Sequence, residues 1–530
     1  MTLLHQITNL MVEFAGLFHA HRQESRKSRA SQRIVRPENR QRALSRGTFE
    51  LSPPRCMSVQ ILLQGKLLGV EEFLPAGQPG EALLTGRLRW VSLLSEILPR
   101  ALIAELGLSK MLLGSSGGDQ FLVVLPEEVR GQATEFLAAA RGGIRKLSQN
   151  RLELFWAITE NLGDWTVVRK RLNEEFQRKQ GTPLSATGFV QSAAVPETDA
   201  EYFENLGRSL RDAAEVGWSP ESPALILTAG GKHTWAIGTS PDTVSLARHT
   251  ALTDDGREAA TAPVLAARAE GRAVWGVLRG DVDSFGIRMR RLHTIEEYVQ
   301  LAVLYKQFFA GEVEVLCSLP EFWRKVNLLH TGGDDFAVYG AWDALIGFAR
   351  ELQRLFQRFT EEHLKEFPGP EGKTITMALA LAPDLDTALG SVYGWALDRL
   401  ETAKSADKDC FFLLGRTLEW KQLADAAELK DELTAMVREF GVAPQYLRDL
   451  CGIYRETRRA PGAKRVERPW RFHRRLLRIL GSSRSRDFQK ARAGLIADLV
   501  GKNPANLKLR PSGRVALEWA RLSTEGPSGT

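Results

Sequence analysis

Hydrophobic and polar positions follow one order twice along the chain. From Cys56, MSVQILLQG alternates as a strand does, and residues 87–106 (RLRWVSLLSEILPRALIAEL) carry apolar residues at helical spacing. KMLLGSSGGDQFLVVLP reads as strand, tight turn and strand, with the glycines in the turn. EEVRGQATEFLAAARGGIRKL is then a helix and RLELFWAIT a strand. After a mixed stretch, roughly 181–265, the pattern returns. RAVWGVLRGDVDSFG runs from a strand into a turn, TIEEYVQLAVLYKQFFAGEVEVL is a helix, and KVNLLHTGGDDFAVYGAW is a second strand–turn–strand. Helix ALIGFARELQRLFQRFTEEHL, strand KTITMALALAP, helix TALGSVYGWALDRLETAKSA and the short strand DCFFLLGR complete it. Residues 1–21 read as an amphipathic helix, and the chain from about 421 is basic and mostly helical. This order predicts an α+β fold, an antiparallel-containing sheet with helices on one face.

The two halves match in detail. Gln64-Gly65-Lys66 ends a strand in the first, and Arg279-Gly280-Asp281 does so in the second. The hairpins carry Gly117-Gly118-Asp119-Gln120-Phe121 and Gly332-Gly333-Asp334-Asp335-Phe336. Strand glycine and hairpin glycine lie 52 residues apart in both halves, which predicts a duplicated domain. The copies differ where chemistry would sit. Lys66, Leu68 and Gln120 stand in the first copy where the second has Asp281, Asp283 and Asp335. An ammonium at a metal position repels a divalent cation, so the first copy reads as structural and the second as active.

Phosphoryl transfer from a nucleoside triphosphate needs divalent ions that neutralise phosphate and align the reacting oxygens. Mg²⁺ takes oxygen ligands and retains waters, so two or three carboxylates suffice. Asp281, Asp334 and Asp335 are therefore the expected catalytic and metal-binding residues, on neighbouring strands. Consecutive strand residues face opposite ways, so Asp334 and Asp335 are expected to play unequal parts. Gly332 and Gly333 leave room for a nucleotide to approach the backbone. Asp283, Ser284, Phe285 and Gly286 form a turn whose amides suit triphosphate oxygens. Lys404 and Lys408 lie beyond a helix, within expected reach of the γ-phosphate. Asp254-Asp255 reads as a polar loop, and His330, just before the hairpin turn, as a satisfied strand histidine.

Charge matters once it is located. The net charge is only +7, yet residues 22–46 hold nine Arg/Lys against two Glu, the pattern of a solvated arm. Residues 455–475 hold nine against two again, with Trp470, Phe472 and His473 interleaved. That mixture suits phosphate contacts and stacking on unpaired bases, with Arg458, Arg459, Lys464, Arg465 and Trp470 as expected RNA contacts. Cys56, Cys317, Cys410 and Cys451 lie too far apart in sequence for a zinc knuckle or disulfide framework. No apolar run is long enough for a membrane span and no basic n-region precedes the N-terminal apolar stretch, so a cytoplasmic location is expected.

At these motifs, GKLLGVEEFL with GSSGGDQFLVVL and LRGDVDSFG with HTGGDDFAVYGAWD, the sequence resembles the palm-domain large subunit of type III CRISPR effector complexes. ETAKSADKDCFFLLGRTLEW resembles the family's Lys-containing segment before its last palm strand. The resemblance runs from about residue 56 to the end. It implies two ferredoxin-like palm domains, the first degenerate (51–180) and the second active (266–420). A helix and basic arm (1–50), a mixed intervening α/β domain (181–265) and a C-terminal helical domain (421–530) complete the expected layout. It further implies a crRNA-guided particle containing a small helical subunit and a subunit that holds the crRNA 5′ handle. On pairing with target RNA, the second palm of such a particle joins ATP into cyclic oligoadenylate, with two Mg²⁺ or Mn²⁺ ions. Two other functions compete: a cyclic-dinucleotide synthase of the diguanylate cyclase type, and a non-catalytic RNA-binding scaffold. Many family members begin with a histidine-aspartate nuclease domain. Here the first aspartate of the chain is Asp119, so no DNase activity is expected.

Overall fold

The strand glycines explain how each repeat closes. The computed structural model describes residues 59–180, 197–238, 242–456, 469–500 and 511–526. In the first repeat β1 (Gln60–Leu68) lies between β3 (Gln120–Pro126) and β4 (Glu153–Glu160), antiparallel to both, and β2 (Leu113–Gly117) is hairpin-paired to β3. Helices α1 (Glu81–Glu105) and α2 (Arg130–Leu147) make the two crossovers, and α3 (Trp165–Gln180) follows β4. Strand order β2-β3-β1-β4 with this connectivity is the ferredoxin-like arrangement. Gly65 sits in the middle of β1 because the Phe121 ring of β3 lies over it; a Cβ there would collide with that ring.

The second repeat uses the same construction. β7 (Trp275–Val282) lies between β9 (Asp335–Ala341) and β10 (Ile375–Leu381), antiparallel to both, and β8 (Val326–Thr331) pairs with β9. Gly280 is covered by Phe336 as Gly65 is by Phe121. Each hairpin also carries a bulge at the equivalent place, between Leu113 and Ser115 and between Leu328 and His330. Two glycines under two aromatics and two bulges in matching positions are physical marks of duplication. The sheet is extended by β11 (Cys410–Leu413) and β12 (Arg416–Glu419), giving the order β12-β11-β10-β7-β9-β8. Between the repeats, α4 (Glu197–Ser209) packs on α1, and a small hairpin pairs β5 (Glu215–Trp218) with β6 (His233–Ala236).

In the second repeat α5 (Phe285–Arg290) and α6 (Ile295–Gln307) follow β7. The long helix expected from the pattern is broken by a π turn at Phe308–Glu312 before it resumes at Val313–Cys317. Helices α7 (Trp342–His363) and α8 (Leu389–Ala406) flank β10 in sequence. Beyond α9 (Trp420–Arg438) the described chain is helical, with its helices packed against the second-repeat core.

The repeats pack about an approximate two-fold axis. α1 of the first touches β8 of the second, and α6 of the second touches β2 of the first. A Cβ added to Gly118 would lie 3.4 Å from the backbone nitrogen of Gly333, its counterpart in the repeat, so the axis passes between the hairpin tips. Just below, the Lys306 ammonium of α6 meets Glu96 of α1 at 2.6 Å, and Arg100 meets the same carboxylate at 2.7 Å. Ser116 adds a hydroxyl hydrogen bond to it at 3.0 Å. Breaking such a buried pair by removing one partner costs about 3–5 kcal/mol, so this cluster fixes the apposition of the tips.

Several expectations lie outside the described residues: the N-terminal helix, the basic arm at 22–46, Cys56, and Arg458, Arg459, Lys464 and Arg465. The segment before Asp119 on which the DNase expectation rests is described only from residue 59. Trp470 falls in the helix Pro469–Ile479, but its side chain is outside the description too. Among the described residues no helix is long and apolar enough to cross a membrane.

Candidate active site

Register decides which carboxylates share a face. Asp281 of β7 pairs directly with Asp335 of β9, and directly opposed residues in an antiparallel ladder project to the same side. That side is the one packed by α8 and by the first repeat, where Val277, Ala337 and Tyr393 are buried together. Phe336 faces the other core. Asp334 sits at the turn, and its carbonyl accepts from the Val282 backbone N–H at 2.9 Å. The two hairpin aspartates are thus unequal.

Each carboxylate has a distinct partner. Lys404, in the last turn of α8, meets Asp281 Oδ1 at 2.8 Å. His330 Nε2 lies 3.1 Å from Asp335 Oδ2. The β8 bulge explains that contact. One extra residue puts Leu328 and His330 on opposite faces, so His330 turns from the core side to the Asp335 side. Behind it, the Tyr393 ring carries the Arg279 guanidinium at 4.4 Å. The open side of Gly332 is filled by Asp335 itself: a Cβ there would overlap Oδ1. Gly333 has nothing within 4 Å of its missing Cβ.

Crowding of negative charge shows in the protonation equilibria. Burial, with Asp335 and Asp283 nearby, pushes Asp281 up to about 6 despite Lys404. Burial and the neighbouring Asp281, Asp335 and Asp119 push Asp334 well above the carboxylate range. Asp335 also feels burial, but His330 outweighs it, helped by Arg279 and Lys404, and holds this carboxyl below its ordinary value. Asp119 is raised by burial, against Lys66 at 3.3 Å, and further by Asp335. The surviving aspartate of the first repeat is therefore part of the same acidic cleft, not a remote remnant.

A carboxyl raised on folding weakens the fold as it ionises. Below the unfolded value of 3.8 both states hold the Asp281 proton, and no stability is at stake. As pH climbs to about 6 the folded state still holds a proton the unfolded chain has lost, so stability falls, and above 6 the full cost stands. Asp281→Asn should therefore raise the melting temperature of the metal-free protein at pH 8 and leave it unchanged near pH 3. Calorimetry in chelator checks this, and equal effects at both pH values would remove charge crowding as the cause.

The expected nucleotide turn forms, with one departure. Ser284 takes a left-handed backbone conformation (φ 59) at the start of α5, and Lys408 Nζ donates to its hydroxyl at 2.7 Å. Gly286 is open. Phe285 packs its ring on Tyr305, centroids 4.9 Å apart, and offers the turn its backbone amide. Asp283, whose amide is expected to serve the turn, donates its N–H to the Thr374 carbonyl at 2.9 Å; it is 4% exposed and its carboxylate faces Thr374, Thr376 and the Asp409 backbone. Asp254 is an exposed loop residue paired with Arg268 and Arg324, as read from sequence.

Among the described residues no three His, Cys, Asp or Glu side chains converge as a ready metal cage. The donor set nevertheless suits a hard cation brought in with phosphate. Such an ion uses one or two carboxylates and fills its sphere with phosphate and water. Asp281 and Asp335 are cross-strand neighbours on one face, held by single ammonium and imidazole contacts.

The chain is similar to known proteins over the second repeat and in its fold. The family model "Cas10/Cmr2, second palm domain" matches residues 274–412. The subtype III-A Cas10/Csm1, a CRISPR system single-strand-specific deoxyribonuclease of Mycobacterium tuberculosis, is 29% identical over 150 residues. That alignment covers 24% of this chain and 18% of the relative, so the match spans under a fifth of the relative's length. Among solved structures, the Csm1–Csm4 cassette in complex with cA3 superposes with a TM-score of 0.67 at 16% identity, over 88% of this chain and 70% of that one. The cassette in complex with AMPPNP gives 0.63 at 16% identity, over 88% and 70%.

Proposed function

We propose that this chain, a palm-domain large subunit of the type III CRISPR effector kind, joins ATP 3′–5′ into cyclic oligoadenylate in its second-repeat cleft when target RNA pairs with the guide. The observation that carries the reading is the cross-strand pair Asp281–Asp335, with Asp334 at the turn and Lys404 and Lys408 on the same cleft. Solved relatives that hold cA3 and AMPPNP support the ligand class. In this reading Asp281, Asp334 and Asp335 hold two Mg²⁺ or Mn²⁺ ions, which supply phosphate neutralisation and alignment. The chain's own part is binding and orientation. Lys404 and Lys408 offer ammonium groups to the triphosphate, the Ser284–Gly286 backbone offers amides, and Gly333 leaves the hairpin backbone bare. His330 keeps Asp335 ionised and aimed.

The remaining parts of the proposal concern the particle. The solved cassettes pair Csm1 with Csm4; in the proposed particle a subunit of that kind holds the crRNA 5′ handle, and a small helical subunit lies along the RNA. The basic segment with Arg458, Arg459, Lys464, Arg465 and Trp470 contacts RNA. The test is conversion of labelled ATP by the reconstituted particle with Mg²⁺, separated by thin-layer chromatography. Product should appear with cognate target RNA and stay at background without it. Conversion that ignores target RNA would contradict the activation half of the proposal.

A further inference from the structure

We propose that Asp283 is a positioning residue whose buried carboxylate ties the triphosphate turn to β10 and to the Lys404–Asp409 segment, and so holds Lys408 over the bound nucleotide. The inference rests on the reading of this cleft as an ATP site.

Three donors converge on the carboxylate. Thr376 Oγ1 donates to Oδ1 at 2.7 Å. Thr374 Oγ1 and the Asp409 backbone N–H donate to Oδ2, at 2.8 and 2.9 Å. The backbone repeats the connection: Asp283 N–H donates to the Thr374 carbonyl at 2.9 Å, and Gly372 N–H to the Asp283 carbonyl at 2.8 Å. Thr376 is fully buried and Asp283 nearly so. A carboxylate so enclosed turns no oxygen toward the cleft, which sets Asp283 apart from the half-buried Asp281 two residues earlier.

What it holds is costly to hold otherwise. Ser284 and Asp409, one next to Asp283 in the chain and one bonded to it, both adopt left-handed backbone angles, φ 59 and 57. Neither is glycine, so each conformation needs support from its surroundings. Asp409 directly follows Lys408, whose ammonium bonds the Ser284 hydroxyl at 2.7 Å. One carboxylate thereby fixes both ends of the Lys408–Ser284 bridge. The first repeat supplies an internal control. Its equivalent residue is Leu68, at the end of β1. The palm fold therefore closes without this carboxylate, and the brace occurs only in the copy that has the acidic cluster and the lysine segment.

The test uses AMPPNP affinity by calorimetry with Mg²⁺, alongside KM and kcat for ATP in the assembled particle. Asp283→Ala should weaken AMPPNP binding and raise KM by about 10- to 100-fold, the range for loss of an outer-shell support, with kcat at saturation changed far less. Lys408→Ala should give a similar loss, and the double variant should be no worse than either single one, because both act through one contact. Asp283→Asn keeps a carbonyl for Asp409 N–H and an amide for Thr376. It should lie within roughly threefold of wild type, with the Mg²⁺ requirement unmoved. If Asp283→Ala does not fold, Thr374→Val removes one of the three bonds and should still weaken binding measurably. Multiplying losses in the double variant, or a Thr374→Val protein that binds normally, would overturn the brace. A shift in Mg²⁺ requirement for Asp283→Asn as large as that for Asp281→Asn would make Asp283 a metal ligand instead. Failure of the wild-type protein to bind AMPPNP would remove the ATP reading itself, whereas equal binding by wild type and Asp283→Ala would remove this inference alone.

Discussion

Asp334→Ala combined with Asp335→Ala is expected to abolish ATP conversion while the particle still assembles on guide RNA. Metal-assisted charge stabilisation is worth several kcal/mol, which at 1.36 kcal/mol per decade is a loss of roughly a thousandfold or more. The fold should tolerate the change. Both side chains are half-buried at a hairpin tip, and Asp334 is held there against its own charge. Removing that repulsion relieves strain instead of opening a core cavity. Labelled ATP conversion gives the first readout and copurification of guide RNA the second. Undiminished conversion would move the site elsewhere; loss of assembly would make the pair structural.

The two hairpin glycines should separate into different roles. Gly332→Ala forces a methyl into the space of Asp335 Oδ1, so the carboxylate must leave its place against His330. Misplacing a reacting-centre group by about 1 Å costs on the order of a hundredfold. The loss should fall on kcat, since Asp335 no longer meets the cross-strand Asp281 correctly. Gly333→Ala meets nothing in the free protein, so melting temperature should hold. Its cost should appear in KM for ATP, where the nucleotide needs the bare backbone. Steady-state kinetics with a melting curve for each variant checks this, and identical kinetics would mean that the Gly332 contact with Asp335 does not matter for turnover.

Much of the fold was legible because duplication wrote it twice. Gly65 and Gly280 at equal distance from their hairpins gave the repeat, and the aromatic lid over each glycine is the physical reason the spacing persists. The acidic set was legible as well, since a carboxylate on each of two neighbouring strands is a local pattern. What the sequence concealed depends on register or on distant segments. His330 read as a satisfied strand histidine, but its partner was hidden, because only the β8 bulge turns it to Asp335. Asp283 read as part of the turn whose amides suit triphosphate oxygens. Its three donors come from Thr374, Thr376 and Asp409, about ninety to one hundred and thirty positions away. Asp119 looked like a relic, and its place in the cleft follows from the packing of one repeat on the other, set in part by Glu96 and Lys306.

This cleft is proposed to close ATP into a ring of adenylates. Mass spectrometry of the product made by the reconstituted particle from ATP, Mg²⁺ and cognate target RNA tests it most directly. The expected product has three or more AMP units without terminal phosphate and is absent from the Asp334→Ala, Asp335→Ala particle. A cyclic dinucleotide would place the chain with synthases of the diguanylate type, and unconverted ATP from an intact, RNA-loaded particle would leave a scaffold and contradict cyclase function.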